Sequence, residues 1–212
     1  MLICGIDEAG RGPVIGPMVI CGVALDASKL GYLRDLKVKD SKLLSPAQRE
    51  RIFRELTTVS VHHVIIVEPA EIDAAVMGHE NLNWLEARKA AEIITKLQPQ
   101  TAIIDCPSPN LQAFSGFIAN LLPYPIDLRC EHKADANHEI VAAASIIAKV
   151  TRDRLIEELK KKHGVDFGSG YMSDEKTATF IKTNAEAVYV RKSWAPIQKL
   201  LIGKVQKGLS EF

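Results

Sequence analysis

A chain of 212 residues gives room for one generous domain, or one domain with a small appendage. With 47% hydrophobic and 25% charged residues, it has the make-up of a soluble globular protein with a real core. A net charge of +1 excludes a strong overall basic field, so any binding of nucleic acid has to come from local patches.

The first apolar run, residues 1–6, predicts a buried strand, and 18–25 (MVICGVAL) predicts a second. The Gly and Pro residues between them make a broad turn, so the pair forms a wide hairpin. A polar loop containing KVKDSK follows. Ser45, Pro46 and Gln48 then mark a helix start as N-cap, first helical residue and capping-box partner, for a helix running to about Leu56. A third strand is expected over 59–67, a short helix over 69–76, and a helix with apolar spacing over 81–97 that stops before Pro99.

TAIID, 101–105, is a short buried strand ending in an acid. A helix over 110–122, a strand over 126–130 and the longest helix, from Asn137 or His138 to about His163 with Gly164 at its stop, come next. Ser173 opens a helix to about Asn184, and the tail from Pro196 is helical at first. Hairpin strands followed by alternating strands and helices predict an α/β domain: a mixed sheet with an antiparallel part and helices on its faces. The expected division is a core over 1–165, a helical C-terminal part over 166–205 packed on it, and a tail over 206–212.

Cys4, Cys21, Cys106 and Cys130 form no CxxC pair and lie in or beside apolar stretches, which suits buried free thiols in a reducing compartment. Acids arrive at Asp7 with no basic region before them, unlike a secretory signal. The uncharged stretch 12–25 is too short and too rich in Gly and Pro to span a membrane. A cytoplasmic protein is expected.

Acids recur where strands end: Asp7 with Glu8, Asp105, and Asp135 ahead of the long helix. In open α/β sheets, sites form outside the carboxyl ends of strands. If the first strand and TAIID are parallel neighbours, Asp7 meets Asp105, and the loop after 126–130 brings in Asp135. Adjacent strand residues point to opposite faces, so Asp7 and Glu8 share a site only if the strand ends there, which the turn residues Ala9 to Gly12 favour. The extra methylene of Glu8 helps it reach back. Clustered carboxylates repel unless a cation neutralises them, and all-oxygen ligands suit Mg²⁺ or Mn²⁺ rather than Zn²⁺. Four carboxylates can hold two metals roughly 4 Å apart for in-line attack on a phosphodiester. Taken singly, each acid also reads as an N-cap, a turn acid or part of a solvated pair.

GRGPVIG departs from GxGxxG because Ile15 takes the third glycine's place, and the next segment reads as strand, against a dinucleotide site. Cys130, His132 and His138 match no standard zinc spacing. Between Gly10 and Gly12, the backbone at Arg11 can approach a sugar or phosphate closely. Lys42 precedes a helix, and Lys149 and Arg152 share a helix face suited to phosphate. Tyr171, in GSGYMSD, is placed to stack on a base or sugar.

Taken together, DEAGRGP, KDSK, IIDC, KADA followed by AASIIAKVTRD, and GSGYMSD closely resemble type 2 ribonuclease H (ribonuclease HII), most like its archaeal members. The ordered motifs cover residues 7–174. The resemblance implies a ribonuclease-H-like mixed five-stranded sheet flanked by helices, with a helical C-terminal part. It implies cleavage, dependent on two Mg²⁺ or Mn²⁺ ions, of RNA in RNA–DNA hybrids and incision 5′ of ribonucleotides embedded in duplex DNA. Asp7, Glu8, Asp105 and Asp135 match the metal-binding acids; Gly10, Arg11 and Gly12 match the segment that reads the ribose 2′-hydroxyl; Tyr171 matches the tyrosine that stacks on the following deoxyribose. Lys42, Lys149 and Arg152 match substrate-contacting positions. One departure is Met172, where the family commonly has proline. In QKGLSEF, Gln206, Leu209 and Phe212 would share one face of a 3₁₀ turn, which resembles a shortened sliding-clamp-binding motif. A monomer is expected. Another nuclease or strand-transferase on this fold, and a non-catalytic nucleic-acid-binding module, are the competing readings.

Overall fold

The computed structural model describes residues 1–38 and 45–209, with side chains except at Pro46 and 204–209. Lys42 and Phe212 therefore lie outside the described residues, and Gln206 and Leu209 are described in backbone only.

The elements in order are β1 (Leu2–Ala9), β2 (Met18–Asp26), α1 (Leu30–Asp35), α2 (Pro46–Val59), β3 (Val61–Val67), α3 (Pro69–Met77) and α4 (Leu82–Leu97). There follow β4 (Thr101–Asp105), α5 (Leu111–Leu121), β5 (Asp127–Glu131), α6 (Ala134–Asn137), α7 (Glu139–His163), α8 (Glu175–Asn184) and α9 (Ala195–Leu209). The five strands form one sheet in the order β3-β2-β1-β4-β5. The pairs β1–β2 and β2–β3 are antiparallel, whereas β1–β4 and β4–β5 are parallel. This is the expected mixed sheet, with the wide hairpin at its antiparallel side.

Both faces are covered, which is why the central strands read as nearly continuous apolar runs. On one face, Val19, Cys21, Val23 and Ile103 pack with Ile140, Val141 and the small residues 142–144 of α7. On the other, Cys4, Ile6, Ile20 and Ile104 pack with Leu85, Ala90, Ile93 and Ile94 of α4 and Phe114 of α5. Gly5 lets α7 lie directly on β1: a Cβ there would sit 2.4 Å from the backbone C and O of Ile140. The Ser45 capping box is present and opens α2. All four cysteines are free, and Cys4, Cys21 and Cys106 are buried.

A third cluster joins the C-terminal helices to the core. Val14 and Ile15, from the turn after β1, pack with Ile156, Phe167, Ile181, Tyr189 and Ile197. Among the described residues, no helix is long and apolar enough to cross a membrane.

Three expectations need correction. Residues 30–35 and 134–137 are helical rather than loop. In the tail, α9 continues as α-helix through Leu209, so Gln206 and Leu209 lie in α-helix rather than in the 3₁₀ turn expected to carry Gln206, Leu209 and Phe212, the last of which is outside the described residues. Most consequentially, β1 does not end at Ile6. Its ladder with β2 continues through Asp7↔Cys21, Glu8↔Ile20 and Ala9↔Val19, while its pairing with β4 stops at Ile6↔Ile104. The longer antiparallel partner supplies hydrogen bonds that keep the two acids in strand geometry.

Candidate active site

Because Asp7 and Glu8 both lie within β1, they leave the sheet on opposite sides. Asp7 shares the α7 face with Asp105, the last residue of β4, and Asp135 comes in from α6. Carboxylate oxygens of these three acids all lie within 4.8 Å of one another. Asp105 Oδ1 accepts from the N–H of Ala134 at 3.1 Å, which fastens the start of α6 to the end of β4 and so places Asp135. Glu8 stands outside this group of three, on the α4 side. Its longer side chain nonetheless brings its carboxyl within hydrogen-bonding reach of that of Asp7.

The electrostatics follow from burial and crowding. Asp7 is 6% exposed. Burial, and then the neighbouring Asp105 charge, push its carboxyl up to about 6, against a hydrogen bond from Ser145 and the positive charge of Lys149. Lys149 Nζ donates to Ser145 Oγ at 2.7 Å, so lysine, serine and aspartate form a chain down one side of α7. The Glu8 carboxyl is pushed well above the ordinary range, chiefly by burial and then by Asp7, Glu86 and Asp105. Oxygen-only ligands under mutual repulsion fit a hard divalent cation, whose charge would remove the repulsion.

Beside the acids lies Gly10-Arg11-Gly12. Gly10 has φ +81, and a Cβ on it would meet the Arg152 side chain at 2.2 Å, so only glycine fits. The Arg11 side chain is not free in solvent. Its Nε donates to Glu86 Oε1 at 2.7 Å and its Nη2 to Asn83 Oδ1 at 2.6 Å, both on α4. Glu86 is buried, and burial pushes its carboxyl up to about 7 against the pull of the Arg11 charge. The loop's carbonyls are held from the C-terminal layer: Arg191 reaches Gly10, Arg11 and Gly16, and Trp194 reaches Gly12. Burial, with Arg152 next, pulls the Arg191 guanidinium down to about 9.

Tyr171 lies at the other side of this loop, 40% exposed. Its ring edge is 3.7 Å from where a Cβ on Gly12 would stand, and the Arg152 guanidinium lies 5.5 Å from its ring centroid. Arg152 is 6% exposed, and its Nε and Nη2 have no hydrogen-bond partner among the described residues. Val14 N donates to Gly170 O at 2.8 Å, tying the Tyr171 loop to the turn after β1. Of the two cations expected to share a face of α7, Lys149 therefore serves the acids and Arg152 the Gly10–Tyr171 surface. The histidines weighed for zinc have other partners: His132 Nδ1 meets Cys106 O, and His138 Nε2 meets Glu131 Oε2 at 2.8 Å.

Four residues here escaped sequence reasoning. Ser145 lies inside AASIIAKVTRD, but of that stretch only the charged Lys149 and Arg152 stood out, and a lone serine among alanines signals no chemistry. Glu86 carried a signal: it falls on the helical stripe Leu82, Ala90, Ile93, where a charged residue has no place unless it is paired. Arg191 and Trp194 carried none, because their acceptors lie about 180 residues away in the chain.

A protein-family model described as Ribonuclease HII matches residues 4–197. The Ribonuclease HII of Pyrococcus horikoshii is 43% identical over 208 residues, covering 94% of this chain and 93% of its own length. The crystal structure of the ribonuclease H2 from Pyrococcus horikoshii OT3 superposes with a TM-score of 0.87 at 43% identity, covering 94% of this chain and 97% of that one. The structure of the PCNA:RNase HII complex from Archaeoglobus fulgidus matches with a TM-score of 0.84 at 40% identity, over 92% of this chain and 95% of that one.

Proposed function

The chain belongs to the ribonuclease HII family, and from that premise we propose that it cuts the RNA strand of RNA–DNA hybrids and incises 5′ of ribonucleotides embedded in duplex DNA, leaving 3′-hydroxyl and 5′-phosphate ends. The observation that carries the reading is the adjacency of an acidic cluster and a glycine-flanked backbone loop: Asp7, Asp105 and Asp135 within 4.8 Å, next to Gly10–Gly12 and Tyr171.

In this reading Asp7, Glu8, Asp105 and Asp135 hold two Mg²⁺ or Mn²⁺ ions, which when bound supply Lewis-acid chemistry for in-line attack at phosphorus. Ser145 and Lys149 hold the Asp7 carboxylate in place. The backbone of Gly10, Arg11 and Gly12 meets the 2′-hydroxyl, the one group that separates ribose from deoxyribose. Tyr171 stacks on the following deoxyribose, and Arg152 and Lys149, with Lys42, meet phosphates. The core over 1–165 then carries the acids, and the part over 166–205 shapes the loop that faces the substrate. Primer removal and ribonucleotide repair by a cytoplasmic monomer are the corresponding role.

Incubating a DNA duplex that holds one ribonucleotide with and without Mg²⁺, and mapping the cut, tests this. Metal-dependent scission at the phosphate 5′ of the ribonucleotide is expected. Equal cutting of all-DNA duplex would favour a general nuclease or strand-transferase, and metal-independent binding without turnover would favour a binding module.

The tail also takes part in this proposal. The Archaeoglobus relative was captured with PCNA, and Gln206, Leu209 and Phe212 of this chain are proposed to bind a sliding clamp. Clamp retention is expected to be lost when 206–212 are removed; equal retention by the truncated protein would refute it.

A further inference from the structure

All three main-chain carbonyls of Gly10-Arg11-Gly12 are taken by two side chains of one C-terminal segment. Arg191 Nη2 donates to Gly10 O at 2.6 Å, and Nη1 to Arg11 O at 2.8 Å. Its Nε donates to Gly16 O at 2.9 Å, where the same turn returns to the sheet. Trp194 Nε1 completes the set on Gly12 O at 3.2 Å, and its ring lies 5.0 Å from the Arg191 guanidinium. Arg191 is fully buried. Among the described residues it forms no ion pair, so its donors are spent on carbonyls alone. An arginine buried this way carries a desolvation cost that a solvated loop would not need.

The segment that presents these donors is itself pinned. The Asp73 carboxylate accepts from Lys192 N, Ser193 N and Ser193 Oγ at 2.8, 2.8 and 2.6 Å. Arg191 N donates to Val14 O, and Val14 N to Gly170 O, so the Tyr171 loop belongs to the same network. With their carbonyls held from behind, Arg11 and Gly12 keep their N–H groups for a ligand; no described residue accepts from either.

We propose that Arg191, assisted by Trp194, is a positioning residue for ribose recognition: it sets the backbone of Gly10–Gly12 in the orientation that meets a 2′-hydroxyl. This rests on the reading of that loop given under Proposed function. A planar guanidinium can span three carbonyls at once, whereas a lysine ammonium is a point charge that cannot. Where a duplex holds one ribonucleotide, only one register brings a 2′-hydroxyl to the loop. A long hybrid offers one at every RNA position, so loose positioning costs it less.

The experiment compares wild type, Arg191→Lys and Trp194→Phe. It measures kcat and KM on a duplex with one embedded ribonucleotide and on an RNA–DNA hybrid, with melting temperature and Mn²⁺ binding as controls. Arg191→Lys is expected to lose roughly 10- to 100-fold in kcat/KM on the embedded ribonucleotide, the scale of a misplaced site group, and a clearly smaller factor on the hybrid, with Mn²⁺ binding retained. Trp194→Phe keeps an aromatic ring, though a smaller one, and removes one donor, so it shifts the substrate ratio the same way by less. Should Arg191→Lys fail to fold, Trp194→Phe carries the test. Equal losses on both substrates, as a mere folding defect gives, or an unchanged ratio would overturn the positioning role while leaving the loop's reading intact. A wild-type protein that leaves the embedded ribonucleotide uncut would bring down that reading and this inference with it.

Discussion

Asp105→Asn is expected to abolish detectable cleavage while making the metal-free protein more stable. Asparagine keeps the size of the side chain and an oxygen that can accept from Ala134 N, so the tie between β4 and α6 survives. It removes one negative charge from a group whose oxygens lie within 4.8 Å. The loss of one hard ligand from a metal-assisted site is worth several kcal/mol of transition-state stabilisation, about a thousandfold or more in rate. The same substitution relieves the repulsion that helps push Asp7 up to about 6 and the Glu8 carboxyl well above its ordinary range. In chelator at neutral pH, the variant should melt about 2–4 °C above wild type for each kcal/mol of repulsion removed. Adding Mg²⁺ should then stabilise wild type more than the variant. Product formation on a hybrid substrate and thermal melts with and without Mg²⁺ measure both halves. Undiminished cleavage would refute the ligand role assigned to Asp105.

Gly5→Ala is expected to be the most damaging single methyl group in the core. The added Cβ would sit 2.4 Å from Ile140 C and O and 2.5 Å from Val141 N, all backbone atoms. No rotamer change relieves such a contact; α7 has to lift from β1. Overpacking a core costs about 1–3 kcal/mol, and a contact against main chain belongs at the top of that range or above it. A fall of roughly 5–10 °C in melting temperature follows for a chain of this size. The same lift would carry Ser145 and Lys149 away from Asp7, so residual activity should fall further than the folded fraction does. Calorimetry alongside a cleavage assay at a temperature where both proteins are folded separates the two effects. An unchanged melting temperature would contradict the close seating of α7 on β1.

Several parts of this architecture were legible because the information is local. The Ser45–Gln48 capping box, the stop of α4 before Pro99, the end of α7 at Gly164 and the strand Thr101–Asp105 each depend on a few neighbouring residues. Asp7, Asp105 and Asp135 could be nominated for one place because parallel strands put their carboxyl ends at one sheet edge, and β1 and β4 are indeed parallel neighbours. Sequence period and turn chemistry thus determined the mixed sheet, the long helix over it and the acids worth watching.

Tertiary structure decided the rest. How far β1 runs depends on β2, which keeps pairing past Ile6 and sends Asp7 and Glu8 to opposite faces. That Arg11 turns back onto α4 depends on Glu86 and Asn83, over 70 residues away, and the posture of its backbone on Arg191, 180 residues away. Hydrogen bonds between such distant segments leave no periodicity in the chain, since each partner is an isolated polar residue until the fold closes. The sequence by itself therefore determined which elements form and which acids gather. The fold alone decided on which face each acid stands and what holds the Gly10–Gly12 loop, because those depend on where distant segments dock.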